Sequence, residues 1–288
     1  MRFRLSLPVW TVLLFLALFA TRAVPSSRNW NRPVKPFRIA SNLYYIGASD
    51  LTSFLITTTK GDILLDGGLR ETAPLIERNV AALGFRMADV KILLNSHAHM
   101  DHAGGLAELK RISGAQLIAS EGDMHALETG DRDDFAWGNR LTFPPVKVDR
   151  IVGDGARVTV GNVTMTAHVT PGHTKGCTTW SMPVTDQGKT YNVVFVCSTT
   201  APGYKLAGNK KYPQIAQDYE HTFNVLRSLP CDIFLASHGS FFDLTGKRQR
   251  LGTAKNNPFV DPDGYRAFVD RTEREFRSSL AAQSHRAP

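Results

Sequence analysis

The sequence is poor in cysteine, and it has neither a dense run of one charge nor a short-period repeat. Only 3 of its 288 residues are cysteine, and none lies close to another in the chain, which argues against a structural zinc site built from thiolates. The 34 lysines and arginines outnumber the 26 acidic residues, but they are scattered and no basic run is interleaved with aromatic residues. Nucleic acid is therefore not a predicted partner. The absence of a fixed repeat argues against a solenoid.

Hydrophobic residues make up 42% of the chain, which is enough for a large core. The longest apolar run lies near the start, at about residues 8–20, and it follows Arg2 and Arg4. Because this run is marginal in length for crossing a bilayer, residues 1–23 are predicted to be a cleaved secretory signal peptide, the alternative being an uncleaved anchor. The mature chain, 24–288, is then predicted to be a single periplasmic domain without membrane attachment.

Three histidines and an aspartate fall within six residues, directly after a short apolar segment. The segment Val90–Leu94 predicts a buried strand, and a helix is predicted over residues 102–112. Positions two apart in an extended segment point the same way, so His97 and His99 can present imidazole nitrogens to one metal ion. Asp101 could instead cap the helix, with the histidines as loop residues. The density of ligand types favours a metal site formed by the group His97, His99, Asp101 and His102.

Two more histidines stand at the ends of predicted strands. His173 follows the strand Val163–Val169, and His238 ends a strand at 232–236. A lone histidine is usually a hydrogen-bonded polar residue. Both residues would lie near the motif if the strands form a sandwich, because its strand ends converge on one edge. The other histidines outside the motif lack this context and are interpreted as structural or surface residues, namely His125, His168, His221 and His285.

The rest of the chain alternates short strands with helices. Further strands are predicted at 43–47, 54–58, 62–66, 116–119, 157–160, 177–182 and 191–196, and further helices at 71–83, 121–127, 214–229 and from 261 onward. The long segment 130–145 carries Phe135, Trp137 and Phe143. Because long loops within compact domains are often functional, it is interpreted either as a surface excursion packed by its aromatic residues or as a wall of a substrate cleft.

The run HAHMDH resembles the HxHxDH signature of the metallo-β-lactamase superfamily, and the resemblance extends over nearly the whole mature chain. It implies an α/β (α+β) fold, the αββα sandwich, in which two mixed sheets lie face to face with helices outside. Asp66, in LLDGG, matches a buried structural acid near the metal loop. The resemblance also implies two zinc ions per chain, the first bound by His97, His99 and His173, and the second by Asp101, His102 and His238.

The residues after the strand at 191–196 indicate which branch of the superfamily is involved. Many hydrolases of the superfamily, such as glyoxalase II and the lactonases, place a bridging Asp where this chain has Ser198. Cys197 precedes that position by one residue and should face away from it, because side chains alternate along a strand. The chain therefore resembles the third subclass of zinc β-lactamases, which has no Cys ligand, and TPGHTKGCTTW, APGYKL and NNPFVDP strengthen the match. An alignment shifted by one residue would make Cys197 a ligand and favour the first subclass.

The implied function is hydrolysis of the β-lactam amide bond of penicillins, cephalosporins and carbapenems by attack of a zinc-bound hydroxide, which would confer antibiotic resistance. Asp101 is predicted to be catalytic by orienting that hydroxide. Ser198 and Thr200 are predicted to bind the substrate carboxylate, or else they are merely polar residues at a strand end. No SxxK arrangement of the serine β-lactamases occurs in a convincing context.

The same metals leave other functions open. An exported thioesterase, lactonase or other ester hydrolase is the main alternative, and a zinc-binding protein without catalysis is a second. A nuclease is disfavoured by export and by the missing bridging Asp. A small-molecule substrate and a monomer are predicted.

The three cysteines allow one disulfide in an exported protein. Cys177 and Cys197 lie on predicted strands that can be neighbours, so they are the expected pair. Some relatives pair a cysteine at the position of Cys231 with one in the last helix, where this chain has Tyr265, so Cys231 is expected to be free.

Overall fold

The chain forms two β-sheets whose connections include eight α-helices, in a computed structural model that describes residues 27–285. The strands are β1 (Phe37–Ala40), β2 (Leu43–Tyr45), β3 (Phe54–Ile56), β4 (Asp62–Leu65), β5 (Val90–Leu94), β6 (Gln116–Ser120), β7 (Arg150–Val152), β8 (Arg157–Val160), β9 (Val163–Val169), β10 (Thr178–Asp186), β11 (Lys189–Val196) and β12 (Ile233–Ala236). The helices are α1 (Ser27–Trp30), α2 (Ala73–Ala82), α3 (Met100–Ala103), α4 (Leu106–Ser113), α5 (Glu121–Thr129), α6 (Ile215–Ser228), α7 (Leu244–Arg250) and α8 (Pro262–Ser284).

Both sheets mix parallel and antiparallel pairs. The first has the order β1-β2-β3-β4-β5-β6-β7, antiparallel up to β4 and parallel from β4 to β7. The second has the order β12-β11-β10-β9-β8, antiparallel except for the parallel pair β11 and β12. The hairpin between β10 and β11 turns at Gln187 and Gly188, both with positive φ, as the tight turns of hairpins require.

Side-chain alternation divides the first sheet between two cores. In β3, Phe54 and Ile56 face the second sheet, whereas Leu55 faces the helices behind. Phe54 meets Phe195 of β11 with ring centroids 5.1 Å apart, so the two sheets pack face to face. Because strands of the first sheet are buried on both faces, they read in the sequence as continuous apolar runs such as that of β5.

Helices cover the outer face of each sheet. The helices α2 and α4 pack their apolar faces behind the first sheet, through residues that include Ile76 and Leu109. On the other side, α8 packs against β12, where Phe268 lies 5.2 Å from Phe234 between ring centroids. The αββα arrangement that the resemblance implied is therefore the observed fold.

One predicted helix is broken in the structure. The helix expected over 102–112 is divided into α3 and α4, with Gly104 and Gly105 between them. The backbone of Gly105 approaches that of Gly67 so closely that a side chain would overlap the Gly67 carbonyl oxygen. The Gly105 N–H also donates to the carbonyl oxygen of Gly68 at 3.1 Å, so the break docks the motif against the loop after β4.

The strand directions bring several carboxyl ends to one edge of the sandwich. In the second sheet, β9, β11 and β12 run the same way, so the segments that follow them lie side by side. In the first sheet, the segment after β5 carries the histidine motif. The Trp180 indole N–H donates to the Asn95 carbonyl oxygen at 3.1 Å and thereby links the two sheets at this edge.

The predicted signal peptide, residues 1–23, lies outside the described residues. Within residues 27–285, no helix has both the length and the apolar content needed to cross a membrane.

The predicted disulfide is confirmed. Cys177, just before β10, is bonded to Cys197, just after β11, with Cα atoms 5.9 Å apart, and Cys231 is free. The bond joins two antiparallel neighbours at the edge that carries the histidines. Because Cys197 is oxidised, it offers no thiolate to a metal, which contradicts the shifted alignment that would have made it a ligand.

We predict that replacing Cys177 and Cys197 together with serine lowers the free energy of unfolding by about 3 kcal/mol, because the bond closes a loop with a sequence separation of 20. Denaturant unfolding of the variant and the oxidised parent measures the difference. Cys231→Ser serves as the control, since Cys231 forms no disulfide. An unchanged free energy in the double variant would contradict the prediction.

Candidate metal centre

Asp66 anchors the loop that carries the motif. It lies just after β4 with a left-handed backbone, φ 64°, and its side chain is buried. Its Oδ1 accepts the N–H of Ser96 at 2.7 Å and the amide N–H of Asn95 at 3.1 Å. Burial raises the pKa of Asp66, but these donors favour its charged form. The sequence interpretation of Asp66 as a buried acid near the loop agrees with this position.

The first group of predicted ligands comes together from both sheets. Single ring nitrogens of His97, His99 and His173 all lie within 4.8 Å of one another, and Nδ1 of His99 is 3.1 Å from Nε2 of His173. All three side chains are buried. Burial, reinforced by the neighbouring imidazoles, holds the pKa of His97 and His173 well below the usual value, so both rings are neutral and keep a lone pair for a cation.

The second group forms a nearly equilateral triangle. Nε2 of His102 lies 3.3 Å from Nε2 of His238, and Oδ2 of Asp101 lies 3.4 Å from each of these nitrogens. Ligands at 2.0 to 2.1 Å from a tetrahedral zinc ion are about 3.3 Å apart, so the spacing of this triangle matches three corners of such a site. The two groups adjoin, since the rings of His97 and His102 are 4.2 Å apart between centroids.

The charges within the second group balance one another. Burial opposes ionisation of Asp101, but the imidazoles of His102 and His238 hold its pKa well below the usual value. Burial would likewise lower the pKa of His238, yet hydrogen bonds to Asp101 and Asp50 outweigh it and raise that pKa to about 9. Asp101 is thus an ionised carboxylate beside a protonated His238, and a divalent cation bound here would take the place of the His238 Nε2 proton.

Other groups of the chain lie near the outer ring nitrogen of each histidine in the two groups. Nδ1 of His173 donates to the carbonyl oxygen of Thr200 at 2.8 Å. Nδ1 of His97 is 3.0 Å from the Ser96 hydroxyl. The other three histidines face carboxylates, with Nδ1 of His238 at 2.9 Å from Asp50, Nδ1 of His102 at 3.7 Å from Asp66, and Nε2 of His99 at 4.0 Å from Asp134. The close contacts of His97, His173 and His238 fix ring orientation and tautomer, whereas those of His99 and His102 are too long for hydrogen bonds.

These observations show that the residues fit a metal. Among residues 27–285, His99 Nε2 and His102 Nδ1 find no hydrogen-bond partner, although both atoms are buried. These are the nitrogens that face Asp134 and Asp66, whereas the opposite nitrogen of each ring faces the other donors. The fit to a metal rests on the donor chemistry, because five imidazoles and one carboxylate converge in two adjacent groups and are the ligand types of zinc sites.

The loop over residues 130–145 lies against this cluster. Phe135 packs on Tyr204 and Tyr212, with ring centroids 5.0 Å apart in each case. Tyr204 in turn donates to the carbonyl oxygen of His173 at 3.0 Å. The aromatic residues therefore pack on the body of the protein, in agreement with the first interpretation. The same packing places the loop beside His173, and its role as a wall of a substrate cleft stays a prediction.

Acidic residues of the same loop stand behind His99. Asp134 and Asp131 are buried together near Asp123, and a cavity of about 130 Å³ opens among them. Burial and the neighbouring carboxylates raise the pKa of Asp131 to about 8. Burial raises the pKa of Asp123 to about 6, although Asp123 accepts the N–H groups of Ala98 and Gly176, each at 2.9 Å.

Ser198 and Thr200 follow β11 at the same edge. Their hydroxyl oxygens are 3.2 Å apart, and the Thr200 hydroxyl is 3.4 Å from Nδ1 of His173. The Thr200 carbonyl oxygen also accepts the Tyr219 hydroxyl at 2.6 Å. Both predicted substrate-binding residues thus lie beside the first group of histidines.

The predicted ligands all converge, whereas the histidines interpreted as structural do not join them. His168, for example, pairs with the Ser181 hydroxyl at 2.8 Å on the second sheet. Sequence reasoning missed Asp50, Asp134 and Tyr204. The chain gave no signal for Asp50, which is 188 residues from His238. The long acidic and aromatic loop was the signal for Asp134.

Comparisons with known proteins show which family the chain resembles. Residues 47–238 match the sequence pattern of the metallo-β-lactamase superfamily. The native FEZ-1 metallo-β-lactamase from Legionella gormanii is 44% identical and superposes with a TM-score of 0.86, over 88% of this chain and 98% of that chain. BJP-1, a subclass B3 metallo-β-lactamase of Bradyrhizobium japonicum, is 38% identical with a TM-score of 0.85, over 90% of this chain and 98% of that one.

A third solved structure is the class B3 di-zinc metallo-β-lactamase LRA-12 from an Alaskan soil metagenome, which is 37% identical with a TM-score of 0.85, over 89% of this chain and 98% of that one. Curated relatives match more weakly. A hydroxyacylglutathione hydrolase of Rhodospirillum rubrum is 34% identical over 84 residues, and the chain spans only 26% of its length.

The match to the superfamily covers well over half of the chain, and the solved structures extend it to nearly all of the described residues. The predicted resemblance to the third subclass is confirmed by the same structures. The chain belongs to the metallo-β-lactamase superfamily, in the group of its subclass B3 members.

Proposed function

We propose that this protein hydrolyses the amide bond of β-lactam antibiotics with two zinc ions per chain and thereby confers resistance. The second group of donors carries the proposal, because Asp101, His102 and His238 are spaced as three corners of a tetrahedral site, immediately beside the first group. Three protein donors per ion leave a position for water or substrate, as in catalytic zinc sites. The di-zinc β-lactamase LRA-12, a relative at 37% identity, supports the same assignment.

Zinc, when bound, supplies Lewis acidity, which lowers the pKa of water from 15.7 to about 7 and polarises a carbonyl. The residues of the chain orient the reaction. Asp101 remains ionised and accepts a hydrogen bond from the attacking water, which fixes the direction of attack on the lactam carbonyl carbon. The carbon–nitrogen bond then breaks, and the nitrogen takes the proton that the water gives up.

The residues after β11 complete the proposed substrate site. β-Lactams carry a carboxylate, and the hydroxyl groups of Ser198 and Thr200 are donors at the edge of the ligand cluster. The loop over residues 130–145 forms the adjoining wall, where Trp137 is near Tyr204 at 6.1 Å between ring centroids. We further propose that residues 1–23 direct export to the periplasm and that the mature domain, 24–288, acts there as a monomer.

We predict rapid hydrolysis of a carbapenem by the purified mature protein, its loss on addition of a chelator, and its recovery when zinc is restored. Loss of the ultraviolet absorbance of the β-lactam measures the rate. A protein that holds two zinc ions yet turns over no β-lactam would contradict the proposal. Turnover of a thioester by that protein would then favour the hydrolase activity named in its curated relatives.

We predict that His97→Ala and His238→Ala each lower the rate of hydrolysis by more than about a hundredfold at ordinary zinc concentrations. Loss of an outer contact to a metal ligand already costs about 10- to 100-fold, and these changes remove a ligand itself. Rates and zinc content are measured together. His221→Ala is the control, since His221 is exposed on α6 away from the cluster. Normal rates with full zinc content in either ligand variant would contradict the assignment.

We predict that Ser198→Ala raises KM for a carbapenem about tenfold with little change in kcat, because a hydrogen bond to a charged group contributes about 1.5 kcal/mol. Steady-state kinetics measure both constants. Thr190→Ala is the control, since its hydroxyl pairs with that of Thr185 at the far end of the hairpin between β10 and β11. An unchanged KM in Ser198→Ala would show that this hydroxyl does not bind the substrate.

A further inference from the structure

Asp50 is a carboxylate outside both donor groups that directly contacts one of the ligands. It lies in the turn between β2 and β3, and its Oδ2 is 2.9 Å from Nδ1 of His238. Its Oδ1 accepts the N–H of Ser240 at 2.6 Å, and its carbonyl oxygen accepts the N–H of Gly239 at 2.7 Å. Asp50 therefore forms hydrogen bonds with three consecutive residues, His238, Gly239 and Ser240.

The position of the other ring nitrogen settles which tautomer this contact favours. Nε2 of His238 faces His102 and Asp101 and must keep its lone pair to bind a metal there. The proton of the neutral ring then belongs on Nδ1, where only an acceptor stabilises it. A carboxylate is such an acceptor, because an ionised carboxylate has no proton to donate.

We propose that Asp50 is a positioning residue for the second metal site, where its carboxylate holds His238 in the tautomer and orientation that direct Nε2 toward the metal. This inference rests on the donor groups of the proposed function. Carboxylate, histidine and metal in series raise the basicity of the ligand nitrogen, and loss of the carboxylate typically weakens metal affinity by about 10- to 100-fold.

The surroundings of Asp50 keep this contact in place. The N–H of Asp50 donates to the carbonyl oxygen of Trp30 at 2.9 Å, which ties the turn to α1. The rings of Trp30 and Phe241 lie 5.5 and 5.1 Å from that of His238 and cover it from two sides. The side chains of His238 and Asp50 are only 16% and 18% exposed, and limited exposure strengthens a charge-assisted hydrogen bond.

A purely structural role is the rival explanation, because the bonds to Ser240 and Gly239 would fasten the segment even if His238 gained nothing. Asp50→Asn separates the two roles. The amide oxygen of asparagine still accepts the Ser240 N–H, but its NH2 group faces Nδ1 of His238 as a donor. That donor favours the opposite tautomer, with the proton on Nε2, so the variant keeps the fold and disables the ligand.

The test measures stepwise zinc release from the zinc-loaded mature protein by a chromophoric chelator, together with the thermal unfolding midpoint of the metal-free form. In Asp50→Asn, we expect one of the two zinc affinities to fall by about 10- to 100-fold, with the other affinity and the midpoint unchanged. Asp243→Asn is the matched control, since Asp243 also accepts a backbone N–H, that of Gly246, but far from the donor groups. It should leave both affinities unchanged.

Two results would overturn the proposal. One is unchanged zinc affinities in Asp50→Asn, and the other is an equal fall in both affinities together with a lower unfolding midpoint, which indicates structure alone. If the variant does not fold, long-range proton–nitrogen correlation spectra of the metal-free parent, recorded at a pH where the His238 ring is neutral, decide, since a proton on Nδ1 supports the proposal and a proton on Nε2 refutes it. Because these readouts are affinity and tautomer, a failure to hydrolyse β-lactams would contradict the proposed function without touching this inference.

Discussion

The convergence of five imidazoles and one carboxylate on two points is the constraint on which the site depends. Without a metal these donor atoms can only share the few ring protons between them, and the distances of 3.1 to 3.4 Å leave no room for another protein group. Hydrogen bonds on the outer side of two rings hold them in place, from a carbonyl oxygen at His173 and from a carboxylate at His238. A bound cation would take up the remaining lone pairs and so stabilise the folded chain.

Both sheets contribute residues to the two donor groups. His97, His99, Asp101 and His102 come from the first sheet, whereas His173 and His238 come from the second. Each of the two donor groups takes residues from both sheets, so a metal ion bound at either group would join the two sheets. The Trp180 bond to Asn95 also joins the two sheets at this edge, whereas the Cys177–Cys197 disulfide joins β10 and β11 within the second sheet.

The sequence was most informative where a local pattern had a local cause. The apolar run of β5 and the spacing of His97 and His99 predicted a strand followed by ligands, because side-chain alternation is set by the backbone. The break between α3 and α4 was not predicted, since it follows from the approach of Gly105 to Gly67 across the fold. The short strands β1 and β7 were also missed, because edge pairing rather than their own composition defines them.

Long-range partners were the least accessible part of the site. His173 and His238 could be proposed from strand ends and resemblance, but Asp50 has no motif around it, and its partner lies 188 residues away. Such a contact depends on the topology, which brings the turn between β2 and β3 to the end of β12. Only the folded chain reveals it.

Because of Asp134, some positions of the loop over residues 130–145 are more sensitive to substitution than others. Its Oδ1 accepts the N–H of Ala136 at 2.8 Å and shapes the turn, while its Oδ2 faces His99 at 4.0 Å. Positions farther along, such as the exposed Arg140, can vary without moving a metal ligand. Changes that reshape the turn reach His99 through Asp134. Under the proposed function, a substitution in that turn would therefore disturb the surroundings of His99 together with the loop, whereas one at Arg140 would alter the loop alone.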